Sequence, residues 1–142
     1  MKNLFLDTNV IIDVLADRQP FSEPASKLFN YAEKGKINLF VSALSYSNIY
    51  YIIRKNCTHK QMLSLLRDLE ALTETLDVTK QVISKSLSGD FKDFEDAIQY
   101  NTAIANKKTE AIVTRNVKDY KNTKLPILMP DEAVVIIENS SH

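Results

Sequence analysis

Apolar positions along this chain switch repeatedly between two patterns. Leu4-Phe5-Leu6 is a short unbroken apolar run, which predicts a buried strand, and Asp7-Thr8-Asn9 closes it. Thr8 or Asn9 is then expected to cap a helix over about residues 10–16, with Val10, Ile11, Val14 and Leu15 on one side; Pro20 ends that segment. Ala25, Leu28, Phe29 and Ala32 stand at helical spacing, so a second helix is expected over residues 23–33, stopping near Gly35. Residues 37–41 read as a strand. Ser42 caps a helix over about 43–55. Met62, Leu65, Leu66 and Leu69 mark an amphipathic helix over 59–72. A short strand at 75–78 follows, then a helix capped by Thr79 and a turn at Gly89-Asp90-Phe91. Asp93 starts a helix over about 94–106. Ala111-Ile112-Val113-Thr114 and Ile127-Leu128-Met129 read as strands, and Pro130-Asp131 opens a last helix. Strands alternating with helices predict an α/β fold on a parallel sheet.

No Pro-, Gly- or Ser-rich linker interrupts this alternation and no repeat is visible, so residues 1–142 read as a single domain. Lys+Arg and Asp+Glu are both 18, which argues against a general basic coat for duplex DNA and leaves local patches for any nucleic-acid contact. Two glycines, Gly35 and Gly89, cannot build a glycine-rich phosphate loop. One cysteine and two histidines exclude a disulfide within the chain and a Cys/His zinc site. No apolar run approaches the ~20 residues of a membrane helix, so no membrane association is expected and the cytoplasm is the expected location.

Ligands of parallel sheets gather at the carboxyl ends of the strands. Asp7, Thr8 and Asn9 follow the first strand; Ser42, Ser45 and Asn48 follow the second. Thr114, Arg115, Asn116 and Asp119 follow the strand at 111–114. Asp93, Glu95 and Asp96 open the helix before it, with Asp93 and Asp96 near one face. Asp7, Asp93, Asp96 and Asp119 are therefore expected to point into one pocket. Clustered carboxylates raise one another's pKa unless a cation is present, and oxygen-only ligands suit Mg²⁺ or Mn²⁺. Such a metal supports phosphodiester hydrolysis with no Ser, Cys or His nucleophile. Taken singly, each acid also has a structural reading, as a helix cap or as a first-turn acid favoured by the helix dipole.

The set Phe5-Leu6-Asp7-Thr8-Asn9-Val10-Ile11-Ile12-Asp13, Val41-Ser42-Ala43-Leu44-Ser45, Phe94-Glu95-Asp96-Ala97-Ile98 and Ile112-Val113-Thr114-Arg115-Asn116-Val117-Lys118-Asp119-Tyr120 resembles the PIN domain family across nearly the whole chain. The resemblance implies a three-layer α/β/α fold with a central parallel sheet. It implies an acidic Mg²⁺ or Mn²⁺ pocket that cleaves single-stranded RNA, and frequent homodimers. Many small members are VapC-type toxins of toxin–antitoxin pairs, so an antitoxin is an implied partner. On this resemblance Asp7 matches the first family acid, Asp96 the acid of the later helix with Asp93 assisting, and Asp119 the last. Thr114 matches the hydroxyl after the last acidic strand, Asn9 looks like the residue that holds the first acid, and Asn116 shares the region of the last one. The chain departs from the pattern at Asn48, where the family usually has Glu; Asn can offer a carbonyl oxygen but no charge.

Arg115, Lys118 and Lys121, with Lys124, are the expected cations for RNA phosphates, although a solvated loop would look the same. Tyr46, Tyr50 and Tyr51 fit either base stacking or packing. The apolar helices around 10–16 and 44–53 suit self-association or an antitoxin helix. The alternative to a nuclease is a related RNA- or partner-binding module with a degenerate site. Phosphoacceptor and haloacid-dehalogenase-type readings fail because only Asp7 is acidic in Asp7-Thr8-Asn9.

Overall fold

In the computed structural model, which describes residues 1–140, five strands form one parallel sheet in the order β3-β2-β1-β4-β5. The last two residues of the expected domain span, including His142, lie outside the described residues. The strands are β1 (Asn3–Leu6), β2 (Asn38–Ser42), β3 (Glu74–Leu76), β4 (Ala111–Val113) and β5 (Ile127–Leu128). The helices are α1 (Thr8–Leu15), α2 (Ser22–Glu33), α3 (Ala43–Ile53), α4 (His59–Leu72), α5 (Lys80–Ser88), α6 (Phe94–Ala105) and α7 (Pro130–Asn139). The α/β class and the parallel sheet expected from the sequence are what the chain adopts. Among the described residues, no helix is long and apolar enough to cross a membrane.

Side-chain alternation in the strands divides the core in two. Leu4 and Leu6, Leu39 and Val41, and Ala111 and Val113 point to one face, where they pack with buried residues of α1, α2, α3, α4 and α7. Phe5, Phe40 and Ile112 point to the other, against Tyr100 and Ala103 of α6 and Tyr120. Each of these central strands is covered on both sides, which is why it reads as continuous apolar sequence rather than as an alternation. Gly35 follows α2 at φ +74°, the left-handed conformation that ends a helix most cheaply at glycine.

Local differences from the sequence reading have physical causes. Asp7, not Thr8 or Asn9, caps α1, because its own carboxylate accepts the Thr8 N–H at 2.8 Å. The third helix ends at Ile53 and tightens into a 3-10 turn over Arg54–Asn56. The third strand spans Glu74–Leu76 rather than 75–78, starting one residue and ending two residues earlier, where it pairs with Phe40–Ser42.

The chain builds β1, β2 and β3 outward in one direction, then returns to place β4 on the opposite edge of β1. Neighbouring loops diverge at such a switch point and leave a crevice at the carboxyl ends of the strands. Asp7 leaves β1 and Thr114 leaves β4 at that crevice, with the Asp7 N–H bonded to Val113 O at 2.9 Å.

Candidate active site

Asp7 is buried and heavily hydrogen-bonded. Its Oδ2 accepts from Thr114 Oγ1 and from the Tyr120 hydroxyl, both at 2.9 Å, while Oδ1 takes the Thr8 N–H. Burial pushes its carboxyl above the usual range; the three donors pull the other way, and the Asp119 charge adds to the rise. Burial, then the Asp7 and Asp96 charges, push the Tyr120 phenol up, so it remains a hydrogen-bond donor at neutral pH.

The acids from the other segments surround the same opening. A cavity of about 350 Å³ is lined by Asp7, Asp93, Glu95, Asp96 and Asp119 together with Asn9 and Asn116. Asp96 is half-buried and its carboxyl is pushed up to about 7, first by desolvation and then by Asp7, Asp93, Asp119 and Glu95. Asp93 caps α6, and its Oδ1 accepts the Asp96 N–H at 3.0 Å. The four acids expected in one pocket thus share one cavity wall.

Asn9 does not touch Asp7 directly. Its amide donates to Thr114 Oγ1 at 3.3 Å and its carbonyl oxygen accepts the Arg115 N–H at 3.3 Å, so it reaches Asp7 through Thr114. The Asn116 N–H donates to the same Thr114 oxygen at 3.1 Å. Arg115 turns away from the acids: Nε lies 2.6 Å from Asp13 Oδ2, Nη2 lies 3.2 Å from Oδ1, and the guanidinium stacks 4.1 Å from the Phe21 ring centroid. Lys118 and Lys121 stay beside the acids, on the wall of a second cavity.

Two neighbours of the acids stand outside the set expected from the sequence. Glu95 lines the acidic pocket, and Asn48 Nδ2 donates to Glu95 Oε1 at 2.9 Å. Partial desolvation, then the Asp7 and Asp93 charges, raise the Glu95 carboxyl, and the Asn48 bond opposes the rise. Gln99 is fully buried; its amide donates to Thr8 Oγ1 at 2.9 Å and Ser45 Oγ at 3.2 Å, and those hydroxyls lie 2.9 Å apart. This bond set ties α1, α3 and α6 together directly behind the acids. Of the three tyrosines, Tyr46 bonds Thr75 Oγ1 at 2.7 Å and Tyr50 bonds His59 Nδ1 at 3.0 Å. Tyr51 and Ile52 face outward on α3.

Among the described residues, no three His, Cys, Asp or Glu side chains stand together as a ready metal cage. The donor set still fits a hard divalent cation. It is all oxygen, its charges raise the Asp96 carboxyl, and Mg²⁺ commonly takes only one or two carboxylates and keeps several waters.

The fold is a parallel α/β domain with a crevice of acids at its switch point, and the chain belongs to the PIN domain family, which it matches over residues 3–118. In structure it is similar to VapBC2 from Rickettsia felis bound to a promoter DNA fragment, at 18% identity and TM-score 0.64, covering 88% of this chain and 96% of that one. It is similar to a toxin–antitoxin complex from Klebsiella pneumoniae at 20% identity and TM-score 0.65, covering 89% and 97%. It is also similar to VapC20 of Mycobacterium tuberculosis, a Sarcin-Ricin loop cleaving toxin, at 16% identity and TM-score 0.59, covering 77% and 86%. No curated protein matches the chain significantly in sequence.

Proposed function

We propose that this chain is a metal-dependent endoribonuclease that cleaves single-stranded RNA in the cytoplasm, and that it is the toxin of a toxin–antitoxin pair. The observation that carries the reading is the convergence of Asp7, Asp96 and Asp119, from three separate segments, on one cavity at the switch point. The toxin part draws on the similarity to structures described as toxin–antitoxin complexes. The outward Tyr51 and Ile52 on α3 suit a homodimer or antitoxin contact.

Asp7, Asp96 and Asp119 would hold Mg²⁺ or Mn²⁺, with Asp93 fixing the first turn of α6. A bound cation supplies polarisation of a water and offsets charge growing on the phosphate. Thr114 and Tyr120 hold Oδ2 of Asp7 in one orientation, and Asn9 and the Asn116 N–H hold Thr114. The neighbouring carboxylates that push the Asp96 carboxyl up in the metal-free chain are the charge a bound cation would offset. The test is cleavage of a panel of single-stranded and stem-loop RNAs with Mn²⁺, with Mg²⁺ and with EDTA, beside Asp7→Asn. Metal-dependent cleavage that the variant loses is the expected result. Silence across the panel would favour a binding module.

Asn48 would then be the position that gave up its charge to Glu95. The amide of Asn48 steers Glu95 over the pocket, so the fourth carboxylate comes from α6 instead of α3. Glu95→Gln is expected to weaken Mn²⁺ binding about tenfold, and adding Asn48→Glu to that variant should restore it. Mn²⁺ titration by calorimetry reads both steps. Unchanged affinity in Glu95→Gln would remove Glu95 from the site.

A further inference from the structure

A larger cavity of about 620 Å³ adjoins the acidic pocket, with Asp93, Asp96 and Asp119 lining both. The larger cavity sets lysines against Asp90 and the three shared acids, whereas the acidic pocket has Arg18 beside its carboxylates. Lys85, Lys92, Lys118 and Lys121 all line the larger cavity, and none of these lysines lines the acidic one. Phe91, partly exposed, lines the same cavity as the lysines. Its ring is braced by Tyr100, with centroids 5.3 Å apart at 34°, and stands nearly perpendicular to the Tyr120 ring, with centroids 5.8 Å apart at 80°. Tyr120 is the residue whose hydroxyl holds Asp7, so the aromatic wall is fixed to the acidic centre itself.

We propose that this cavity seats an unpaired nucleotide of single-stranded RNA next to the phosphate at the acids, with its base on Phe91 and the flanking phosphates on Lys85, Lys92, Lys118 and Lys121. The inference rests on the ribonuclease reading above and adds the path of the substrate. Stacking needs a free base face, and a paired base inside a helix cannot enter a recess to meet the ring. Lysines strung along a groove neutralise successive phosphates without reading sequence. A braced ring loses little freedom when a base lands on it, which favours binding.

The test is binding of a fluorescently labelled single-stranded RNA hexamer to the full chain in EDTA, where cleavage cannot interfere, by anisotropy across a salt series. Phe91→Leu keeps an apolar side chain against Tyr100 and Tyr120 but removes the ring; it is expected to weaken binding about tenfold. Lys92→Ala combined with Lys121→Ala should lower the slope of log affinity against log salt by about 1.4, two phosphate contacts at ~0.7 each. A duplex of the same sequence should bind more weakly than the hexamer. Wild-type binding and salt slope in both variants, equal binding of the duplex, or no binding by the wild-type chain would each overturn the proposal. Cleavage with Mn²⁺ that survives such a result leaves the nuclease reading standing. Loss of binding in the variants without any cleavage leaves the groove standing and sinks the nuclease.

Discussion

Asp96→Asn is expected to cut RNA cleavage about a thousandfold while raising the melting temperature of the metal-free chain at pH 8. The activity loss follows from removing a charge worth several kcal/mol at a metal-assisted phosphoryl centre, each ~1.4 kcal/mol being tenfold in rate. The gain in stability follows from the sign of the pKa shift. The Asp96 carboxyl is raised from 3.8 to about 7 in the fold. Between those values the folded chain holds a proton that the unfolded chain has released. Stability therefore falls as pH climbs through this window, and above it the ionised Asp96 opposes folding. An uncharged Asn removes that opposition at pH 8 and changes little below pH 4, where both states carry the proton. The raised carboxyls of Asp7 and Glu95 act in the same direction and remain in the variant, so its pH slope is reduced rather than abolished. Mn²⁺ should stabilise the wild-type chain more than the variant. Thermal melts from pH 4 to 8, with and without Mn²⁺, read all of this beside the cleavage assay. A variant that cleaves normally and melts no higher at pH 8 would remove Asp96 from the centre.

Arg115→Ala is expected to lower the unfolding free energy by about 3 kcal/mol, while the affinity for single-stranded RNA stays within twofold. Asp13 is completely buried, and the Arg115 guanidinium supplies its two close hydrogen bonds. Arg18 stands farther off, at 3.9 Å, with its own side chain substantially exposed. Removing Arg115 strands a buried carboxylate, which costs far more than a surface ion pair gains. Urea unfolding and hexamer binding separate the two roles. A stable variant that loses RNA would return Arg115 to the phosphate-binding set that the sequence suggested.

Arg115 also shows where sequence reasoning stops. Its partner lies 102 positions away, and a basic residue in a polar loop looks the same whether it faces solvent or a buried acid. The central strands were legible because burial on both faces leaves an unbroken apolar run, as in Leu4-Phe5-Leu6. Asp7 and Thr114 were legible because strand ends on a parallel sheet have a known destination. Glu95 was not, since an acid in the first turn of a helix is ordinary on dipole grounds. What sets it apart is the Asn48 amide from α3, a tertiary contact. Tyr120 was quoted as a motif residue, but its bond to Asp7 spans 113 positions and only the packed fold reveals it. The Asn48 departure reads from sequence as a lost charge. In three dimensions a neighbouring carboxylate stands beside it.

The return of the chain from β3 to β4 has a consequence during synthesis. Asp7 emerges from the ribosome early, but Thr114 and Tyr120, which orient its carboxylate, and Asp96 and Asp119, which share its pocket, come from the second half of the chain. A nascent chain can pair β1 with β2 and β3 while none of the later acids has been made. Until β4 docks beside β1, the half-made protein has no assembled acidic pocket.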